Sequence, residues 1–309
     1  MPRAVILDCD TGTDDALAIM LAALHPDLDL LGVTTVWGNH EVRHTTDNTL
    51  RVLDHLGFTD VPVHAGLAGP YAARPVPLPS GRDDLRPVLD LPAPTRPAGP
   101  GPAVDWLVET LRAATEPVAL VATGPFSNLA DLVAADPAAM EVVDPLVLLG
   151  GSHARPGVTR WAERNVWCDP AAAAAVLAAP ARRIVMVGMD ATFAVPLTSA
   201  DVETLAALGT RAGDVAARLM AERIAWYRRD PEMAALDAAP LHDPLAVALL
   251  VEPSVVDLRP AAGEVETEDQ ERLGATRYDF GATEPTLEVA LGADVGTYLG
   301  VLLTTYARG

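Results

Sequence analysis

Residues 4–24, AVILDCDTGTDDALAIMLAAL, decide the fold. Ala4 to Leu7 is a short apolar run that ends in polar residues, the pattern of a buried strand. Asp14 to Leu24 reads as a helix, with Asp14 and Asp15 in the first turn, where the helix dipole favours negative charge. A buried strand turning directly into a helix opens a parallel α/β unit. Asp8 and Asp10 sit at the carboxyl end of that strand, two apart and so on the same side.

The alternation continues outward. Leu28 to Val36 is a second strand and Val42 to Leu56 a second helix. Val61 to Val63 reads as a short third strand that Pro62 confines to an edge. Helices at Ala103–Ala114, Pro125–Ala135 and Pro170–Ala178 then alternate with strands at Pro117–Ala122, Leu146–Leu149 and Arg183–Val187. This pattern predicts an open, mostly parallel sheet flanked by helices. Between them, Pro70 to Pro102 is a proline-rich irregular stretch, read as a loop or insertion because the alternation resumes at once. After Thr198 the chain is mostly helical to about Leu250. Short strands follow at Val255–Leu258, Thr276–Phe280 and Leu287–Ala290, with a last helix near Val295–Tyr306. Residues 1–309 therefore read as one α/β domain with a late helical region.

Composition narrows the function classes. The formal charge is −20 and the chain has no lysine. Such an acidic surface argues against nonspecific binding to nucleic acid or to an anionic membrane. No stretch is long and apolar enough to span a bilayer, and the opening MPRAVILDCD lacks the pattern of a signal peptide, so a cytoplasmic location is expected. Cys9 and Cys168 form neither a zinc knuckle nor a disulfide framework and read as structural, like His64 and Gly66.

Asp8, Asp10, Asp14 and Asp15 place four carboxylates within eight residues at the sheet edge where α/β folds bind ligands. Capping would account for Asp14 and Asp15 alone, but buried charges at Asp8 and Asp10 need partners. A hard divalent cation, Ca²⁺ or Mg²⁺, resolves the repulsion. Two readings compete. An Asp-x-Asp-x-Thr-like run also opens the haloacid-dehalogenase-like phosphatases, in which the first Asp is a nucleophile assisted by Mg²⁺. That pattern calls for a later basic residue, usually lysine, and for a Ser/Thr motif ending a second strand; this chain lacks any lysine and any clear version of that motif.

The other reading matches at more places. DCDTGTDDALA followed by GVTTVWGN resembles the inosine–uridine-preferring nucleoside hydrolase family. The resemblance continues through VATGPFSNLA at 121–130, LVLLGG at 146–151, AERNVWCDPAAA at 162–173, MVGMDAT at 186–192 and PLHDPLAVA at 240–248, in the family's order. It implies a metal-dependent hydrolase of the N-glycosidic bond of ribonucleosides, giving ribose and free base. A nucleoside carries no phosphate, so the acidic charge is no obstacle to it.

The resemblance also implies roles. Asp8, Asp10, Asp15, Asp243 and the carbonyl of Thr123 would ligate Ca²⁺, with the ribose hydroxyls completing the shell. Asp10 would be the base that activates a water on the ion, and Asp14 would bind a ribose hydroxyl. Asn39 would be a ribose ligand, and Glu163 with Asn165 would serve the 5′-hydroxyl region. His242 would donate a proton to the departing base, since imidazole titrates near neutrality. Trp226 and Tyr227, near the end of a predicted helix, could enclose the base. A homo-oligomer, dimer or tetramer, is implied as well.

Three departures bear on selectivity. Ser80, in Ser80-Gly81-Arg82-Asp83-Asp84, stands where related sequences often carry a histidine in a loop bordering the base pocket. Leu149 stands where methionine is common, and Pro156-Gly157 where a Gly-Asn pair is common. The preferred base therefore stays open. A non-enzymatic reading, a nucleoside- or sugar-binding protein with an idle metal site, has the intact Asp10 and His242 against it.

Overall fold

The computed structural model describes residues 1–74 and 86–309. Its strands are β1 Arg3–Cys9, β2 Leu28–Thr35, β3 Val63–Ala65, β4 Val118–Ala122, β5 Val143–Leu149, β6 Ile184–Val187, β7 Pro196–Thr198, β8 Ala238–Pro240, β9 Val256–Val265, β10 Thr276–Asp279 and β11 Leu287–Ala293. Nine of them form one sheet in the order β10-β9-β11-β6-β5-β4-β1-β2-β3. Pairing is parallel from β3 across to β11; β9 and β10 add two antiparallel strands at the far edge. The mostly parallel sheet expected from the alternation is the one observed.

The pleat of β1 sorts its side chains. Val5, Leu7 and Cys9 join a core with the helix Thr13–Leu24, while Ile6 faces the opposite layer with Leu107, Leu129 and Leu132. Every residue of the first helix from Asp14 to Ala22 is buried. Burying side chains the size of its Leu17, Ile19, Met20 and Leu21 stabilises by about 1.5–3 kcal/mol each. The helix Asp243–Val251, buried to Leu250, packs on it and brings a distant part of the chain to the same end.

The strand order reverses beside β1. The chain leaves β1 to build β2 and β3 on one side, then returns to place β4 on the other. The carboxyl ends of β1 and β4 thus flank a topological switch point, the crevice where open α/β sheets bind ligands.

Several boundaries differ from the sequence expectation. The third strand is Val63–Ala65 rather than Val61–Val63; the Pro62 carbonyl accepts from Val33 N–H just before it, and β3 is an edge strand. The strand expected at Val255–Leu258 runs on to Val265 through Pro260. Pro260 is tolerated because only β11 flanks it; pairing with β10 begins at Ala262. The late helical region is interrupted by a small antiparallel pair, β7 with β8. It brackets the helices Ser199–Ala206, Arg211–Tyr227 and Pro231–Leu236. No helix among the described residues is long and apolar enough to cross a membrane.

Candidate active site

The carboxyl ends of β1, β4 and β5 and the start of the helix Asp243–Val251 converge on a cavity of about 520 Å³. Asp10, Asp14, Thr123 and Asp243 lie on its wall, with Asn39, Glu163, Asn165, Trp226, Tyr227 and His242. Carboxylate oxygens of Asp14, Asp15 and Asp243 lie within 4.8 Å of one another, all three residues buried.

Each acid is held in place by local structure. Asn39, just after β2, donates its backbone N–H to Asp10 Oδ2 at 2.6 Å and its amide to Oδ1 at 3.2 Å. Gly38 makes this approach possible: a Cβ there would lie 2.1 Å from Asp10 Oδ2. Asp15 accepts from Gly12 N–H at 2.9 Å and from the Thr123 hydroxyl at 2.7 Å. Asp14 pairs with the Arg223 guanidinium at 2.7 Å, both side chains nearly inaccessible. Arg223 also donates from Nε and Nη2 to the Pro240 carbonyl, at 3.1 and 2.9 Å. One cation therefore joins the start of the first helix to the segment that delivers His242 and Asp243.

Asp8 stands apart. The pleat puts it on the face of Ile6, under the helix Ser127–Ala135. Its Oδ1 accepts from Thr34 at 2.6 Å and Asn128 at 2.7 Å, and its Oδ2 is buried without a hydrogen-bond partner. It does not line the cavity and is not among the three converging carboxylates.

Crowding and burial push these acids toward their neutral forms. Burial lifts Asp8 to about 7 against the lowering effect of Thr34 and Asn128. Burial and the neighbouring Asp14 lift Asp15 to about 6. Asp10 and Asp243 are raised well above the usual range, first by burial, then by the other carboxylates; Arg164 opposes this at Asp10 and Arg223 at Asp243. Arg223 itself loses by burial but is raised overall by Asp14 and its neighbours. A buried carboxylate cluster of this kind stays charged only beside a cation.

Around the floor, Asn165 donates its amide to the Thr123 carbonyl at 2.7 Å and to the Leu149 carbonyl at 3.0 Å. Glu163 caps the short helix Arg164–Cys168, accepting from the backbone N–H groups of Asn165 and Val166, and reaches Gly151 N–H at 3.2 Å. Burial raises its pKa despite these donors. At the opposite end, His242 hydrogen-bonds Thr192 through Nδ1 at 2.8 Å and the Tyr227 hydroxyl through Nε2 at 2.9 Å. Trp226 packs edge-on against Tyr227. Leu149 and Gly157 line the cavity, and Gly157 sits so close to the Ala162–Glu163 backbone that a Cβ would lie 2.2 Å from the Ala162 carbonyl. Ser80 lies outside the described residues. Cys9 and Cys168 are buried and free, and His64 stacks on Trp106.

Residues 5–299 match the inosine-uridine preferring nucleoside hydrolase family. The chain belongs to that family. It is 37% identical to the pyrimidine-specific ribonucleoside hydrolase RihA of Photobacterium profundum, over 90% of this chain and 89% of the relative. It is 34% identical to the RihA of a Shewanella strain, ANA-3, over 99% and 97%. A plant nucleoside hydrolase superposes with a TM-score of 0.88 at 28% identity, covering 100% of both chains. The purine-preferring ribonucleoside hydrolase of Gardnerella vaginalis does so with 0.88 at 30% identity, covering 99% of this chain and 98% of that one. The enzyme is thus a ribonucleoside hydrolase acting on N-glycosyl bonds. The phosphohydrolase reading of the acidic motif gives way to this one.

Three residues of this nucleoside hydrolase's site were not singled out in the sequence. Arg223 sits three residues after buried Met220 and four before buried Tyr227, so its position on the apolar stripe was the available signal. Asn128 lies in the block VATGPFSNLA, and Arg164 in AERNVWCDPAAA, but neither spacing carried a role. Arg164 donates to the Gly38 carbonyl at 3.2 Å, beside Asp10.

Proposed function

We propose that the enzyme cleaves ribonucleosides with a divalent cation, Ca²⁺, held by Asp10, Asp15, Asp243 and the Thr123 carbonyl. The convergence of the buried Asp14, Asp15 and Asp243 carboxylates within 4.8 Å, with Asp10 on the wall of the same cavity, supports this reading. All donors are hard oxygens and the set mixes carboxylates with a carbonyl, which suits Ca²⁺. Asp8 can add a ligand only through its unpartnered Oδ2. Such an ion supplies Lewis acidity toward water and the ribose hydroxyls.

The chain's own groups supply the rest. Asp10, its two oxygens fixed by Asn39, is aimed to accept a proton from the attacking water. Asp14, oriented by Arg223, binds a ribose hydroxyl and gains strength as the sugar becomes cationic. Glu163 and Asn165 position the 5′ end of the sugar from the wall beside β5. His242, held at both nitrogens by Thr192 and Tyr227, passes a proton toward the leaving base, and Trp226 with Tyr227 encloses that base. The relatives include both pyrimidine-specific and purine-preferring enzymes, which fits a base chosen at this end of the cavity rather than at the acidic floor.

The test is base release from a panel of uridine, cytidine, inosine and adenosine, with and without chelator. Release that stops in chelator and returns with Ca²⁺ is expected. Tight nucleoside binding with no turnover in the presence of Ca²⁺ would instead support an idle binding protein.

A further inference from the structure

A second cavity, about 370 Å³, lies on the other side of the loop that follows β5. Four arginines line it, Arg155, Arg160, Arg272 and Arg277, with Trp161 at its wall and Glu266 as its one lining acid. This is an anomaly in a chain of charge −20. The turn after β9 also carries Glu268, Asp269 and Glu271, yet none of them lines the cavity.

The four cations are not equally engaged. Arg155 pairs with Glu232 at 2.6 Å and Arg277 with Glu266 at 3.2 Å. Among the described residues no carboxylate pairs with Arg160 or Arg272; both guanidinium groups lie over the Trp161 ring, 4.4 and 4.7 Å from its centre. The Trp161 indole N–H is buried without a hydrogen-bond partner. Among the described residues, two guanidinium forks with no paired carboxylate and an indole N–H with no partner thus surround one cavity.

We propose that this cavity is an effector site for a small phosphate-bearing molecule. Guanidinium forks match phosphate oxygens in pairs, and a compact dianion gains more from two of them than a carboxylate does. The Trp161 ring is already occupied by guanidinium groups, so the recognised part is the phosphate and not a stacked base. A nucleic acid would have to run past an acidic surface, whereas a small phosphate would not.

The loop gives the site a route to catalysis. Thr276 pins its start, accepting from Ser152 N–H at 2.9 Å and donating to the Ser152 carbonyl at 2.8 Å. Further along the same loop, Gly157, Val158 and Glu163 line the catalytic cavity. Arg155 lines the phosphate cavity while gripping Glu232, in the helix Pro231–Leu236 whose Pro231 also lines the catalytic cavity. A phosphate competing for Arg155 would shift the loop and helix that border the substrate.

The experiment is calorimetric titration of the full-length enzyme with inorganic phosphate in chelator, against sodium chloride at matched ionic strength. Saturable binding at or below about 10 mM is expected. The Arg160→Ala/Arg272→Ala variant, with unchanged melting temperature, should weaken it about tenfold or more. Trp161→Phe should weaken it less, by about threefold. No saturation in the wild-type enzyme, or identical binding by the double variant, overturns the site. In a second arm, a non-hydrolysable phosphonate should change the KM for a nucleoside in the wild-type enzyme and not in the double variant. An unchanged KM at saturating phosphonate overturns the effector role even where binding stands.

Discussion

The floor and the rim of the catalytic cavity are built on different principles. The floor is built of strand ends, the first turn of a buried helix, and carboxylates held by donors: Asp10 by Asn39, Asp15 by Gly12 and Thr123, and Asp14 by Arg223. The rim is loop and late helix: Gly157 and Val158 on one side, Trp226, Tyr227 and Pro231 on the other, joined by the Arg155–Glu232 ion pair. The floor stores charge that must be neutralised. The rim stores shape that can change without disturbing the fold. On the function proposed above, the bond cleavage is assigned to the first and base selectivity to the second.

The largest effect should come from the floor. Asp10→Ala is expected to lower kcat by about a thousandfold or more while nucleoside binding persists. Activity retained within tenfold would move the base elsewhere. Next comes Arg223→Ala, which leaves Asp14 buried without its cation. Breaking a buried pair from one side costs about 3–5 kcal/mol, so a large fall in denaturation midpoint is expected in the metal-free enzyme. A loss confined to activity, with stability intact, would make Arg223 a substrate residue instead.

A third difference is in pH dependence. Asp8 and Asp15 have folded pKa values near 7 and 6, above their unfolded value near 4. The folded chain therefore holds these protons more tightly than the unfolded one. As pH rises from about 4 to 7 the unfolded chain gives them up first, and stability falls through that window. Melting temperatures in chelator should decline across it, and added Ca²⁺ should flatten the decline. A decline of equal size with and without Ca²⁺ would separate these carboxylates from any ion.

Rim substitutions should do less. Tyr227→Phe removes the hydroxyl on His242 Nε2 and is expected to lower kcat about tenfold, by an amount that differs between purine and pyrimidine nucleosides. Arg155→Ala, which opens the clasp to Glu232, should change KM by only a few fold with kcat nearly intact. Equal losses on every base from either variant would place the rim in the common chemistry after all.

The same division sets what the sequence could tell. The strand-then-helix opening placed Asp8, Asp10, Asp14 and Asp15 at the correct edge because hydrophobic periodicity is a local signal. Pleat alternation alone did not separate Asp8 from Asp10; that took Asn128 and Thr34, which arrive from other elements. Asp243 lies more than two hundred residues from the motif, so only the recurrence of blocks in order tied it to the cluster. Arg223 passed unnoticed because an arginine on a long helix reads as a solvated residue, although it falls on the buried stripe between Met220 and Tyr227. The rim was the least legible part: loop residues have no periodicity, and their pairing across the cavity mouth depends on the folded arrangement.

The measurement closest to the central claim is titration of chelator-treated enzyme with Ca²⁺, read by calorimetry beside base release in the same preparation. One saturable Ca²⁺ site per chain, abolished by Asp15→Asn and Asp243→Asn and filled in step with the return of nucleoside cleavage, is the predicted result. Full nucleoside turnover with no saturable Ca²⁺ uptake would contradict it.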